Sequence, residues 1–167
     1  MMVNIDSFIG ISGLLIFKIN NQEYCADMKN ISAIINLSEF ALLSKNNLTN
    51  EIEFAGLSFK MIDIHKMLSY NAARIRNCAR IILFEFYSKK FGFLADKVSE
   101  IITTDRMFMD KSVDIIMNND KEYIKSILIY ENRRILLFDF ERISKTLNSL
   151  FNADMNKSFY QAGIYNV

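Results

Sequence analysis

The stretch Arg80–Ile102 reads RIILFEFYSKKFGFLADKVSEII, and its patterning decides the fold. Apolar positions alternate up to a polar break at Ser88-Lys89-Lys90 and resume at Phe91 and Phe93. A two-residue period on both sides of a polar break predicts two short strands joined as a hairpin. Asp96 follows, and then Val98, Ile101 and Ile102 surround a polar Ser99-Glu100 step.

The same script occurs earlier in the chain. Phe17-Lys18-Ile19-Asn20-Asn21-Gln22-Glu23-Tyr24 lies over Phe84–Phe91, and Ile31–Ile35 lies over Val98–Ile102. The offset is constant, since 84 − 17 = 67 and 101 − 34 = 67. A second echo follows each copy: Phe59–Met67 (FKMIDIHKM) resembles Ile135–Ile143 (ILLFDFERI) at 139 − 63 = 76. The larger offset means that the second copy carries a longer insertion. Self-similarity of this kind predicts one structural unit used twice.

Outward from these copies the elements follow in order. Leu14–Ile19 and Glu23–Asp27 form the first predicted hairpin, with Asn20-Asn21 as its turn. Met28–Leu37 reads as a strand with a bend, and Ser38–Asn50 as a loop or a short helix. Ile52–Gly56 leads into a strand at Leu57–Ile62, and a helical turn runs from Asp63 through Leu68. Tyr70–Ala79 is a loop between copies, and the second copy runs from Arg80 to about Ser144. Within it, Tyr123–Tyr130 and Arg134–Phe140 pair around Glu131-Asn132-Arg133. Ile143, Leu147 and Leu150 are spaced for a closing amphipathic helix over Glu141–Phe151.

The whole chain sets outer bounds. Its 167 residues suit one compact domain or two interlocked small ones, and 51% hydrophobic residues can fill a core. Twenty basic residues stand against 19 acidic, a net charge of +1. That balance argues against broad binding to nucleic acid or anionic lipid. No Lys or Arg precedes Lys18, so a basic signal-peptide start is missing, and no apolar run approaches the length of a membrane span. Cys25 and Cys78 lack a CxxC context and read as two buried or half-buried thiols of a reducing cytoplasm.

Candidate chemistry is sparse. His65, the one histidine, has no nucleophile motif beside it and reads as a solvated turn residue. Asp63 and Asp139 recur through the repeat, and each reads as the cap of the helical turn that follows. Arg74, Arg76 and Arg80 form a small basic cluster on which a small-barrel nucleic-acid binder could be built. An enzyme using Cys25 or His65 is a third reading. Neither GxGxxG nor GxxxxGK[ST] occurs, and no residue pattern calls for a metal or cofactor.

Four segments, LLIFKINNQEYCADMKNISAII, GLSFKMIDIHKML, RIILFEFYSKKFGFLADKVSEII and YIKSILIYENRRILLFDFERI, span Leu14–Ile143. In order and spacing they resemble the CheW-like domain of bacterial chemotaxis coupling proteins. The resemblance implies an all-β fold of two small five-stranded, SH3-like β-barrels packed on a shared core, with a short C-terminal helix. It places a leader at residues 1–13, two intertwined subdomains at 14–147 starting near 14 and 80, and an extension at 148–167. It further implies a non-catalytic cytoplasmic adaptor, without cofactor, metal, nucleic acid or membrane insertion. Its partners would be the regulatory domain of a CheA-type histidine kinase and the cytoplasmic tip of a chemoreceptor. A scaffold of another motility pathway is the neighbouring reading.

The candidate partner-binding residues are Ile31, Ile34 and Gly56 in the first copy and Val98 and Ile101 in the second. Ordinary core packing is the competing reading for the four aliphatic ones. The chain departs from the family at Ala33, where a Glu is usual, and at Ala55, where an Arg precedes the Gly. It departs again at Lys60 in place of a Pro and at Ser126 in place of a Gly.

Overall fold

The computed structural model describes residues 3–4, 13–39, 51–71, 76–103, 108–110 and 122–152. In chain order the strands are β1 (Val3–Asn4), β2 (Leu14–Ile19), β3 (Gln22–Asp27), β4 (Ile31–Asn36), β5 (Glu51–Phe54) and β6 (Leu57–Ile62). They continue with β7 (Arg80–Phe86), β8 (Lys89–Ala95), β9 (Lys97–Ile102), β10 (Phe108–Asp110), β11 (Ile124–Tyr130) and β12 (Arg133–Phe138). A short helix α1 (Ile64–Met67) follows β6, and α2 (Phe140–Asn152) follows β12. The predicted bend after Met28 is a 3-10 turn over Met28–Asn30. The helical start at 37–39 takes the last residue of the predicted strand and the first two of the predicted loop-or-helix segment, whose remainder lies outside the described residues.

The strands form two sheets, ordered β1-β10-β11-β12-β3-β2-β9 and β4-β7-β8-β6-β5. The five-strand unit expected twice is present twice. In the first sheet it is β11-β12-β3-β2-β9, lengthened by β10 and β1.

Neither sheet belongs to one copy of the repeat. The hairpin β2–β3 of the first copy lies between β9 and β12 of the second, with Leu14 opposite Ile102 and Leu136 beside Tyr24. The hairpin β7–β8 of the second copy lies between β4 and β6 of the first, with Ile34 opposite Ile82 and Met61 beside Gly92. The copies have therefore exchanged strands, and each sheet is complete only with both.

Each central hairpin is buried on both faces, which explains its long apolar runs. Along β2, Leu14 and Ile16 fill the interior of their own curled sheet, while Leu15, Phe17 and Ile19 enter the shared core. Along β7 the equivalent Ile81 and Leu83 face inward, and Ile82 and Phe84 enter the shared core. Aromatic rings join the two sheets there: Phe93 lies 5.5 Å from Phe17 and 6.0 Å from Phe138, while Phe84 stacks on Phe140 of α2 at 4.5 Å. At the edges of the five-stranded sheet, Ala33 and Leu37 pack on the same cluster as Ile52 and Phe54. That shared cluster shows the sheet curling towards a barrel.

Four tight hairpins fix the register. Their turns, Asn20-Asn21, Ala55-Gly56, Tyr87-Ser88 and Glu131-Asn132, all have positive φ at both residues. Two such residues match the twist of paired strands. The turn of the second copy is thus Tyr87-Ser88, one residue earlier than the polar break suggested, because Lys89 and Lys90 already pair with Phe86 and Glu85. Glu131-Asn132 likewise closes the last hairpin, with Arg133 inside β12.

The capping role of the two aspartates is borne out. Asp63 accepts from the Lys66 amide at 3.0 Å, and Asp139 accepts from the Arg142 amide at 3.0 Å.

Candidate partner interface

The predicted partner residues sit on two edge strands and one turn. Along β4, Ser32, Ile34 and Asn36 face solvent while Ile31 and Ala33 are half-buried and Ile35 is buried. Along β9, Lys97, Ser99 and Ile101 face solvent while Val98 and Glu100 are half-buried and Ile102 is buried. Ile31 and Val98 pack against the shared core, which is the packing role. Ile34 and Ile101, equivalent in the repeat, are 39% and 59% exposed. An exposed branched aliphatic on an edge strand offers apolar area beside unpaired backbone groups, the features of strand-edge recognition.

Gly56 lies apart from both pairs in the strand order, in the exposed turn beside β5 at the other edge of the five-stranded sheet. Its φ of +76° is left-handed, and a Cβ built on it meets nothing within 4 Å. Next to it, Leu57 is 44% exposed. Sequence reasoning missed Leu57 because it shares the parity of the buried Phe59 and Met61 and differs only in lying at the strand end.

Charge organises the β9 side. Arg133 reaches Glu100 of β9 at 2.8 Å and Glu23 of β3 at 3.2 Å, and its guanidinium lies 5.3 Å over the Tyr130 ring. The hydrogen bond that Arg133 donates to Glu100, with Glu23 alongside, pushes the Arg133 pKa further up. Arg133 therefore ties an edge strand to two inner strands, across the two copies.

His65 is 3% exposed rather than solvated: α1 turns it inward, and its Nε2 lies 2.9 Å from Asp96 Oδ1. A carboxylate only accepts, so Nε2 carries the proton and the ring serves as a buried anchor. Cys25 is buried, and burial pushes its thiol pKa far up, which removes thiolate reactivity. Cys78 is exposed, against the expectation of a buried or half-buried thiol, because it sits in the loop before β7. Its S–H donates to the Asp96 carbonyl at 3.3 Å. Of the arginine cluster, Arg74 lies outside the described residues, and Arg80 is turned onto the Asn77 and Ala79 carbonyls at 2.9 and 2.8 Å. Among the described residues no metal-ligating cluster occurs, and no helix is long and apolar enough to cross a membrane.

A family model described as the CheW-like domain matches residues 13–147. The chain belongs to the CheW-like domain family. A probable chemotaxis protein CheW of Rhizobium etli is 24% identical over 132 residues, which cover 78% of this chain and 85% of that protein. The chemotaxis protein CheW of Rhizobium meliloti is 22% identical over 132 residues, with the same shares covered. The crystal structure of the scaffolding protein TtCheW from Thermoanaerobacter tengcongensis superposes with a TM-score of 0.62 at 18% identity, covering 77% of this chain and 84% of that one. This CheW-like chain is a chemotaxis adaptor and not an enzyme.

Proposed function

We propose that this CheW-like chain works in the cytoplasm, where it binds the regulatory domain of a CheA-type histidine kinase and the cytoplasmic tip of a chemoreceptor. The observation that carries the reading is the family match over residues 13–147, which takes in every strand of both curled sheets except β1. Exposed Ile34 and Ile101 support two separate contact edges, one on each sheet, as a coupler of two partners needs. Ile31 and Val98 back these positions from the core side, and Gly56 shapes the turn beside Leu57.

Ala33 and Ala55, in place of the family's Glu and Arg, re-specify which partner is accepted. The test is calorimetric titration of the chain against the regulatory domains of the source organism's CheA-type kinases and against receptor-tip peptides. Saturable binding to one kinase domain and one receptor tip is expected. Failure to bind any of those kinase domains overturns the reading, and binding confined to components of a surface-motility pathway moves the scaffold there.

A further inference from the structure

A polar cleft of about 430 Å³ opens beside Asp96, lined by Lys18, Asn20, His65, Arg76 and Lys97 among others. That size suits a small ligand. The lining joins one sheet to the connections of the other: Lys18 lies one residue before the end of β2, Lys97 opens β9, His65 belongs to α1 after β6, and Arg76 precedes β7.

The balance of charge in the cleft is positive. Lys18, Arg76 and Lys97 take part in none of the ion pairs among the described residues. The single carboxylate present, Asp96, offsets only one of these three charges. Asp96 Oδ1 holds His65 at 2.9 Å, and Oδ2 accepts the Asn20 amide at 2.7 Å. Asp96 thus positions the imidazole and the Asn20-Asn21 turn, and three cations remain aimed at a common space.

The repeat provides an internal control. Structural devices recur in both copies, as the capping aspartates do. The cleft does not: in repeat register Glu85 stands for Lys18, Lys29 for Asp96, Asn30 for Lys97 and Glu141 for His65. The cluster therefore belongs to one copy alone.

We propose that this cleft binds a small phosphate-bearing molecule. Amide, ammonium and guanidinium groups supply donors in abundance, and a phosphate group supplies several charged acceptor oxygens for three cations at once. A single carboxylate, with two oxygens, would leave this donor set underused.

This site is independent of the adaptor reading and is tested apart from it. Inorganic phosphate and pyrophosphate are titrated calorimetrically into the full chain, its Lys18→Glu and Arg76→Glu variants, and Lys145→Ala as a remote control. Saturable pyrophosphate binding should weaken by roughly tenfold for each cation reversed, given charge-assisted contacts. Lys18→Arg and Lys145→Ala should bind as the wild type does, and all variants should melt cooperatively. Vesicles containing phosphatidylglycerol form the second arm. Free pyrophosphate binding without vesicle sedimentation assigns a soluble ligand, whereas sedimentation that needs Lys18 and Arg76 assigns a lipid headgroup. Absence of saturable binding of either phosphate at millimolar concentration, or equal binding by the Lys18→Glu and Arg76→Glu variants, overturns the proposal.

Discussion

Ala55 and Gly56 form a turn with φ of 52° and 76°. At Gly56 a side chain has open space but the wrong backbone, so Gly56→Val costs about 1–3 kcal/mol through conformation alone. Ala55 already bears that strain, so Ala55→Gly gains about 0.5–1 kcal/mol. Denaturant midpoints of the two variants should move in opposite directions. A separate ion pair of the second copy has no counterpart in the first. In repeat register Ala33 corresponds to Glu100, and Leu57 corresponds to Arg133. Glu100 and Arg133 meet at 2.8 Å, so the second copy keeps a pair that the first lacks. Ala33→Glu and Leu57→Arg should therefore couple favourably by about 0.2–1 kcal/mol, as partly exposed pairs do. A double-mutant cycle that is additive would show that the two curled sheets differ there. At this scale Asp63 and Asp139 were legible because capping is local. The burial of His65 was not, because it depends on Asp96, 31 residues away in sequence.

At the scale of elements, the central hairpins carry the packing. Gly92 on β8 faces Leu83 and Met61, and a Cβ there would come within 2.7 Å of atoms of each. The equivalent position in β3 is Cys25, so the two hairpins are packed differently at one point. Gly92→Ala should cost about 1–3 kcal/mol by overpacking. Thermal melting checks it, and enlarging the space with Met61→Ala in the same chain should offset part of the loss. The hairpins were legible from alternation and their polar turns. The partners of β4 and β9 were not, since a strand buried on one face carries no mark of which neighbour it will meet.

Over the whole molecule, the strand exchange makes the two copies inseparable. A fragment ending at residue 71 would hold β2–β3 without β9 and β12, and β4 and β6 without β7 and β8. Such a fragment should show no cooperative melting and little protection in hydrogen exchange, whereas mixing it with residues 76–152 should restore both. A fragment that folds alone would contradict the exchange. The doubled fold and the adaptor class were legible through the repeat and the order of four segments. The exposure of Ile34 and Ile101 was not, because the same aliphatic alternation serves core and interface alike.

We propose that this adaptor meets its partners along the edges β4 and β9. This is tested most directly by calorimetric affinity for the cognate kinase regulatory domain, measured for the wild type, Ile34→Asp and Ile101→Asp. Both side chains face solvent, so both variants should melt close to the wild type. The account predicts that at least one loses about tenfold or more in affinity, as truncation at an interface centre does. Wild-type affinity in both variants would contradict it.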